Sequence, residues 1–108
     1  MIIVTTESIV DREITEVLGL VRGNTIRARH VGQDIMAGLR NIVGGEVKEY
    51  TQMISQAREE ALKRMVEEAM KRGADGVVSF RFTTSQVMGG AAEILAYGTA
   101  VKLAAGSE

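Results

Sequence analysis

Apolar positions repeat with two different periods along this chain, and the change from one to the other divides it into sheet-forming and helix-forming parts. The opening MIIVTT is β-branched and turns polar at Thr5 and Thr6, which predicts a short strand tied into a sheet from its first residues. Residues 11–16 read as a turn or one helical turn. An extended segment over 16–29 follows, interrupted by Gly19 and Gly23. Its apolar positions Val17, Leu18, Leu20, Val21 and Ile26 break a strict period of two, which predicts a bulge or bend at a glycine. Near the end, GVVSFRFTT places Val78, Phe80 and Phe82 on one face of a strand and Ser79, Arg81 and Thr83 on the other. The last strand alternates Leu95, Tyr97, Thr99, Val101 and Leu103 with Ile94, Ala96, Gly98, Ala100 and Lys102, and both sets are largely apolar or small.

Between these strands the period lengthens. Ile35, Leu39 and Ile42, with Met36 and Val43, predict a short helix that ends at Gly44-Gly45. A helix of about twenty residues begins near Tyr50, with an inward stripe of Tyr50, Met53, Ile54, Ala57, Ala61, Met65 and Ala69 widened by Leu62, Val66 and Met70. Its outer face pairs Glu59 with Lys63, Glu60 with Arg64, Glu67 with Lys71 and Glu68 with Arg72, each with Glu N-terminal at i,i+4, the better orientation. Lys71, Arg72 and Gly73 close it as basic residues and a C′ glycine. Gly89-Gly90 suits a tight connection between the last two strands.

The order strand, strand, short helix, long helix, strand, strand predicts an α+β fold in which a small antiparallel or mixed sheet packs against one long and one short helix. A length of 108 residues bounds this to one domain, residues 1–108. One long helix covers one face of a sheet, so the apolar second face of the last strand calls for another partner. We assign that role to Ile94, Ala96, Gly98 and Ala100, as an interface in a homo-oligomer.

Charge and composition narrow the function classes. Thirteen basic against fourteen acidic side chains give a formal charge of −1, which offers no global attraction to nucleic acid or to an anionic bilayer. With Phe80 and Phe82 assigned to the core, no stacking platform for bases is left. Absence of Cys excludes disulfides, thiolate chemistry and cysteine-based zinc or iron–sulfur sites, and fits a cytoplasmic location. The start of the chain lacks a signal-peptide pattern, and no run of eighteen apolar residues predicts a membrane span.

Candidate chemistry is sparse. Gly44-Gly45 is not a nucleotide loop, since Lys48 comes three residues after Gly45 with no adjacent Ser or Thr. His30 is the single histidine and, with Glu7, Asp34, Asp11 or Glu13, could furnish a divalent metal site without any metalloprotein spacing. An ordinary hydrogen-bonded histidine is the simpler reading. Arg22, Arg27, Arg29, His30 and Arg40 concentrate positive charge ahead of the long helix, opposed there only by Asp34; with the start of the helix at 32–43 they suit a small anionic ligand, and equally a neighbouring subunit. Serines and threonines are present, but no G-x-S-x-G elbow or dyad signature accompanies them. An enzyme acting on a small anionic substrate therefore stays a secondary reading.

IIVTT at the start, LRNIVGGEVKEYTQMISQAREEA in the centre, AMKRGADGVV at the helix exit and YGTAVKL near the end together resemble the small YbjQ-type proteins, a family of unknown function that carries a heavy-metal-binding label. The resemblance spans nearly the whole chain, with the block from Arg40 to Tyr50 its most specific part. It implies a dodecin-like subunit assembled as a ring, a pentamer in known members, with no established reaction. Asp75 stands where the family commonly has Asn, Asn41 where Asp is usual, and SFRFTTSQ with Arg81 where an acidic strand is frequent. These departures weaken the implied metal site more than the implied ring.

Overall fold

A computed structural model describes residues 1–27, 46–87 and 91–106. The predicted short helix, Gly44-Gly45 and Gly89-Gly90 lie outside the described residues. Strand β1 (Ile2–Ile3) leads through a turn to β2 (Ile14–Arg27); helix α1 (Glu46–Lys71) follows, then β3 (Gly76–Val87) and β4 (Ala91–Leu103). The sheet order is β1-β3-β4-β2, with β1 parallel to β3 and the other pairs antiparallel, so the sheet is mixed.

The N-terminal pairing runs beyond β1 itself. Val4 N–H donates to the Val77 carbonyl, Phe80 N–H to that of Val4, and Ser79 N–H to that of Thr6, at 2.9–3.0 Å. Residues 11–16 form no helix: Asp11 takes φ 62° in a turn closed by Ile9 and Arg12, and β2 starts at Ile14. The irregular spacing in β2 resolves as register shifts at Ile14/Glu16 and Val17/Gly19, the second using Gly19 at φ 104°.

Helix α1 spans 26 residues and begins at Glu46, ahead of the Tyr50 start predicted from its apolar stripe. Glu46, Lys48 and Glu49 are good helix formers, so propensity carries the helix beyond its apolar face. Ala57, Ala61, Met65 and Ala69 are fully buried against Val21, Val77, Ile94, Ala96 and Ala100. Burying a side chain the size of Met65 or Ile94 is worth about 1.5–3 kcal/mol, while the alanines let the helix lie close. Gly23 is where the approach is tightest: a Cβ there would overlap the backbone at Ala61 and Met65. The helix ends in a Schellman motif, with Ala74 N–H on the Ala69 carbonyl, Gly73 N–H on the Met70 carbonyl and Gly73 at φ 74°.

Two of the predicted i,i+4 pairs form, Glu60–Arg64 at 3.3 Å and Glu68–Arg72 at 2.9 Å. Their arginines also reach the sheet. Arg64 Nη1 donates to the Asn24 carbonyl at 2.7 Å, and Arg72 Nη1 to the carbonyls of Leu20 and Leu18 at 2.9 and 3.3 Å. That helix flank is therefore clamped over β2, whereas sequence reading treated it as solvated.

The alternation in β3 is broken, which corrects the predicted face of Val78. A register shift between Val78 and Arg81, with Ser79 at φ 55°, inserts one residue and reverses the sides. Phe80 packs toward α1, while Val78 joins Val101 and Leu103 on the other face, covered by Ile2, Val4, Ile9 and Ile14. Asp75 locks this corner: its Oδ2 accepts from Leu103 N–H at 2.9 Å and its own N–H donates to the Val101 carbonyl at 2.9 Å. Asp75→Ala is expected to lower stability by about 1–2 kcal/mol, read as a lower urea midpoint; Asp75→Asn, which keeps an acceptor for Leu103 N–H, is expected to avoid most of that loss.

Candidate functional site

Two surfaces are left open by this arrangement. The first is a seam on the helix side. α1 lies mainly over β2, less over β4 and barely over β3. With Arg64 and Arg72 on the flank above β2, Leu62 and Val66 lie on the other flank, toward the less covered β3. Leu62, Val66 and Phe80 are half-buried beside the core, while Met70 and Phe82 are 63% and 40% exposed. The two phenyl rings meet edge to face, 4.8 Å between centroids. Beside this seam, the outer edge of β3 past Phe80 carries no strand among the described residues.

The second surface is the sheet face opposite α1. Residues paired across antiparallel strands share a face. Arg22 pairs with Tyr97 and Tyr97 with Arg81, so the three form a transverse row, β2 to β4 to β3. The next rows are Asn24–Leu95–Thr83 and Ile26–Glu93–Ser85. Arg22 and Arg81 are exposed and Tyr97 is half-buried. Arg81 Nη1 donates to the carbonyls of Thr5 at 2.9 Å and Phe80 at 2.7 Å. Asn24 Nδ2 donates to Glu93 Oε2 at 3.3 Å. Among the described residues neither Arg22 nor Arg81 has a carboxylate within salt-bridge distance.

The residues singled out from sequence fall differently. Ile94, Ala96 and Ala100 are fully buried beneath α1, and Gly98 is closed off by Val77 Cγ1 and the Val78 carbonyl. The chain's own helix thus occupies the face that sequence reading gave to a neighbouring subunit, because which side of β4 meets the helix is decided by its pairing with Val21 and Val77. Ala96→Glu or Ala100→Glu consequently probes the core. Glu7, Asp11 and Glu13 are exposed around the N-terminal turn. Arg27 ends β2 opposite Ala92. Arg29, His30, Asp34 and Arg40 lie outside the described residues, as does any helix start at 32–43. Among the described residues no group of three or more His, Asp or Glu side chains is placed to hold a metal ion. No described helix is long and apolar enough to cross a membrane. Sequence reading missed Arg81 and Tyr97 as partners of Arg22; they are over fifty residues downstream, and only strand register brings them together.

A family model described as "Putative heavy-metal-binding", YbjQ, matches residues 1–104. Among curated relatives, a UPF0145 protein of Archaeoglobus fulgidus is 66% identical over 103 residues, covering 95% of both chains. One of Methanosarcina acetivorans is 63% identical over 103 residues, covering 95% of this chain and 97% of the relative. The crystal structure of a protein with unknown function from Pediococcus pentosaceus, of the DUF74 family, superposes with a TM-score of 0.64 at 18% identity, over 96% of this chain and 98% of that one. That likeness establishes a dodecin-like fold and nothing further. On the family model and these relatives, the chain belongs to the YbjQ family of UPF0145 proteins.

Proposed function

We propose that this chain is one folding unit whose role is to build a homo-oligomeric ring, a pentamer as the family resemblance implies, serving as a structural or small-ligand-binding protein and not as an enzyme. One observation carries the reading: the helix layer stops short of β3, leaving Phe82 exposed beside an unpaired strand edge. An apolar strip flanking a free edge is a template for another chain. A second copy, supplying a strand or helix flank, closes both defects at once. When the second copy meets this side with a different part of its own surface, the contact is heterologous, the kind that generates rings when its rotation closes.

Hydrogen exchange tests this on the native protein. The outward amides of residues 81–87 are expected to exchange slowly when a neighbour pairs with that edge. Exchange there at the rate of unprotected amides, beside a protected β4, contradicts the reading. The metal reading, with His30, Glu7 and Asp34 as ligands, is supported by the family description alone.

A further inference from the structure

We propose that the sheet face opposite α1 carries a binding site for a diphosphate-class anion, held by Arg22 and Arg81 on either side of Tyr97. This goes beyond the assembly reading and is built from groups of a single chain.

Three observations support it. The first is placement. Arg22 and Arg81 leave the same face in one transverse row, with a single strand between them. Two strand spacings put their backbones about 10 Å apart. Guanidiniums rooted at that distance, with that of Arg81 tethered at the Thr5 and Phe80 carbonyls, suit an anion of two phosphoryl groups better than one, and the guanidinium group presents paired N–H donors suited to phosphate oxygens. The Tyr97 hydroxyl adds a donor between them.

The second is uncompensated charge. The helix arginines that contact β2, Arg64 and Arg72, each carry a glutamate partner. Arg22 and Arg81 have none among the described residues. Glu93 is four residues from Tyr97 along β4, about 13 Å away at strand rise, and it accepts from Asn24. The chain is near neutral overall, so the excess is local to this row.

The third is preorganisation. Arg81 is held by two carbonyl acceptors on one nitrogen, Nη1, which fixes its guanidinium beside the N-terminal segment and leaves Nη2 without a partner among the described residues. A fixed guanidinium loses less freedom when it takes a ligand.

Calorimetric titration of the full chain with inorganic pyrophosphate, ADP and orthophosphate is the test, with the mass of the protein checked alongside so that loss of assembly is told apart from loss of binding. Pyrophosphate is expected to bind, orthophosphate at least tenfold more weakly, with affinity falling as salt rises. Arg22→Gln, which removes no contact within the described fold, is expected to weaken pyrophosphate at least tenfold; Arg81→Gln does the same, and Glu93→Gln does not weaken it. ADP binding as tightly as pyrophosphate supports a diphosphate ester as the ligand, and pyrophosphate binding alone supports the free anion. Orthophosphate binding equally well, no pyrophosphate binding at millimolar concentration, or unchanged binding in Arg22→Gln overturns the proposal.

Discussion

Gly23→Ala is expected to destabilise the subunit by about 3 kcal/mol or more, the upper end of what overpacking a rigid contact costs. A Cβ at Gly23 would overlap the Ala61 carbonyl oxygen and the Met65 nitrogen, and would stand 2.8 Å from the Arg64 carbonyl carbon. All three are backbone atoms of α1, so no side chain can swing aside. The helix must lift off β2, and with it go the close packing of Ala57 and Ala61 and the Arg64 bond to Asn24. Gly19→Ala is the informative contrast. Its Cβ would meet only Arg72 Nη1, at 3.6 Å, so its cost comes from φ 104° and amounts to about 1–2 kcal/mol. Urea denaturation of both variants measures the difference. A Gly23→Ala midpoint equal to that of the unmodified protein contradicts the helix–strand contact on which the whole two-layer packing depends.

Phe82→Asp is expected to dissociate the assembly while leaving the subunit folded. Phe82 is 40% exposed within one chain, so an aspartate there keeps access to water in the free subunit. In the proposed ring the same position lies in an apolar contact, where an unpaired carboxylate costs several kcal/mol. A loss of about 2–4 kcal/mol per contact raises the dissociation constant roughly 30- to 1000-fold. Sedimentation velocity at micromolar concentration should therefore show slower material with unchanged far-ultraviolet circular dichroism. Val10→Asp, at a position 84% exposed in the N-terminal turn, is expected to sediment like the parent. Equal sedimentation of Phe82→Asp and the parent places any subunit contact elsewhere.

Much of the fold was legible in the residues because it is set locally. The four-residue recurrence of Ala57, Ala61, Met65 and Ala69 identifies the buried helix face, Gly73 identifies its end, and the glycine in VLGLV marks a bulge. What escaped depends on non-local pairing. A bulge at Ser79, a residue with no sequence signal for φ 55°, turned Val78 away from Phe80 and Phe82. β4 is apolar on both sides, so its alternation could not say which side takes α1. The structure gives the helix Ile94, Ala96 and Ala100, while the N-terminal segment covers Val101 and Leu103. The candidate sites were less legible still: a metal or anion site assembled from residues near His30 draws on sequence proximity, whereas the Arg22–Tyr97–Arg81 row exists only through the pairing of three strands.

The absolute mass of the purified protein by light scattering after size exclusion tests the ring-forming subunit most directly. One chain weighs 11.7 kDa. A mass about five times that value, stable on dilution through the micromolar range, is the predicted result; a mass equal to one chain at the same concentrations contradicts it.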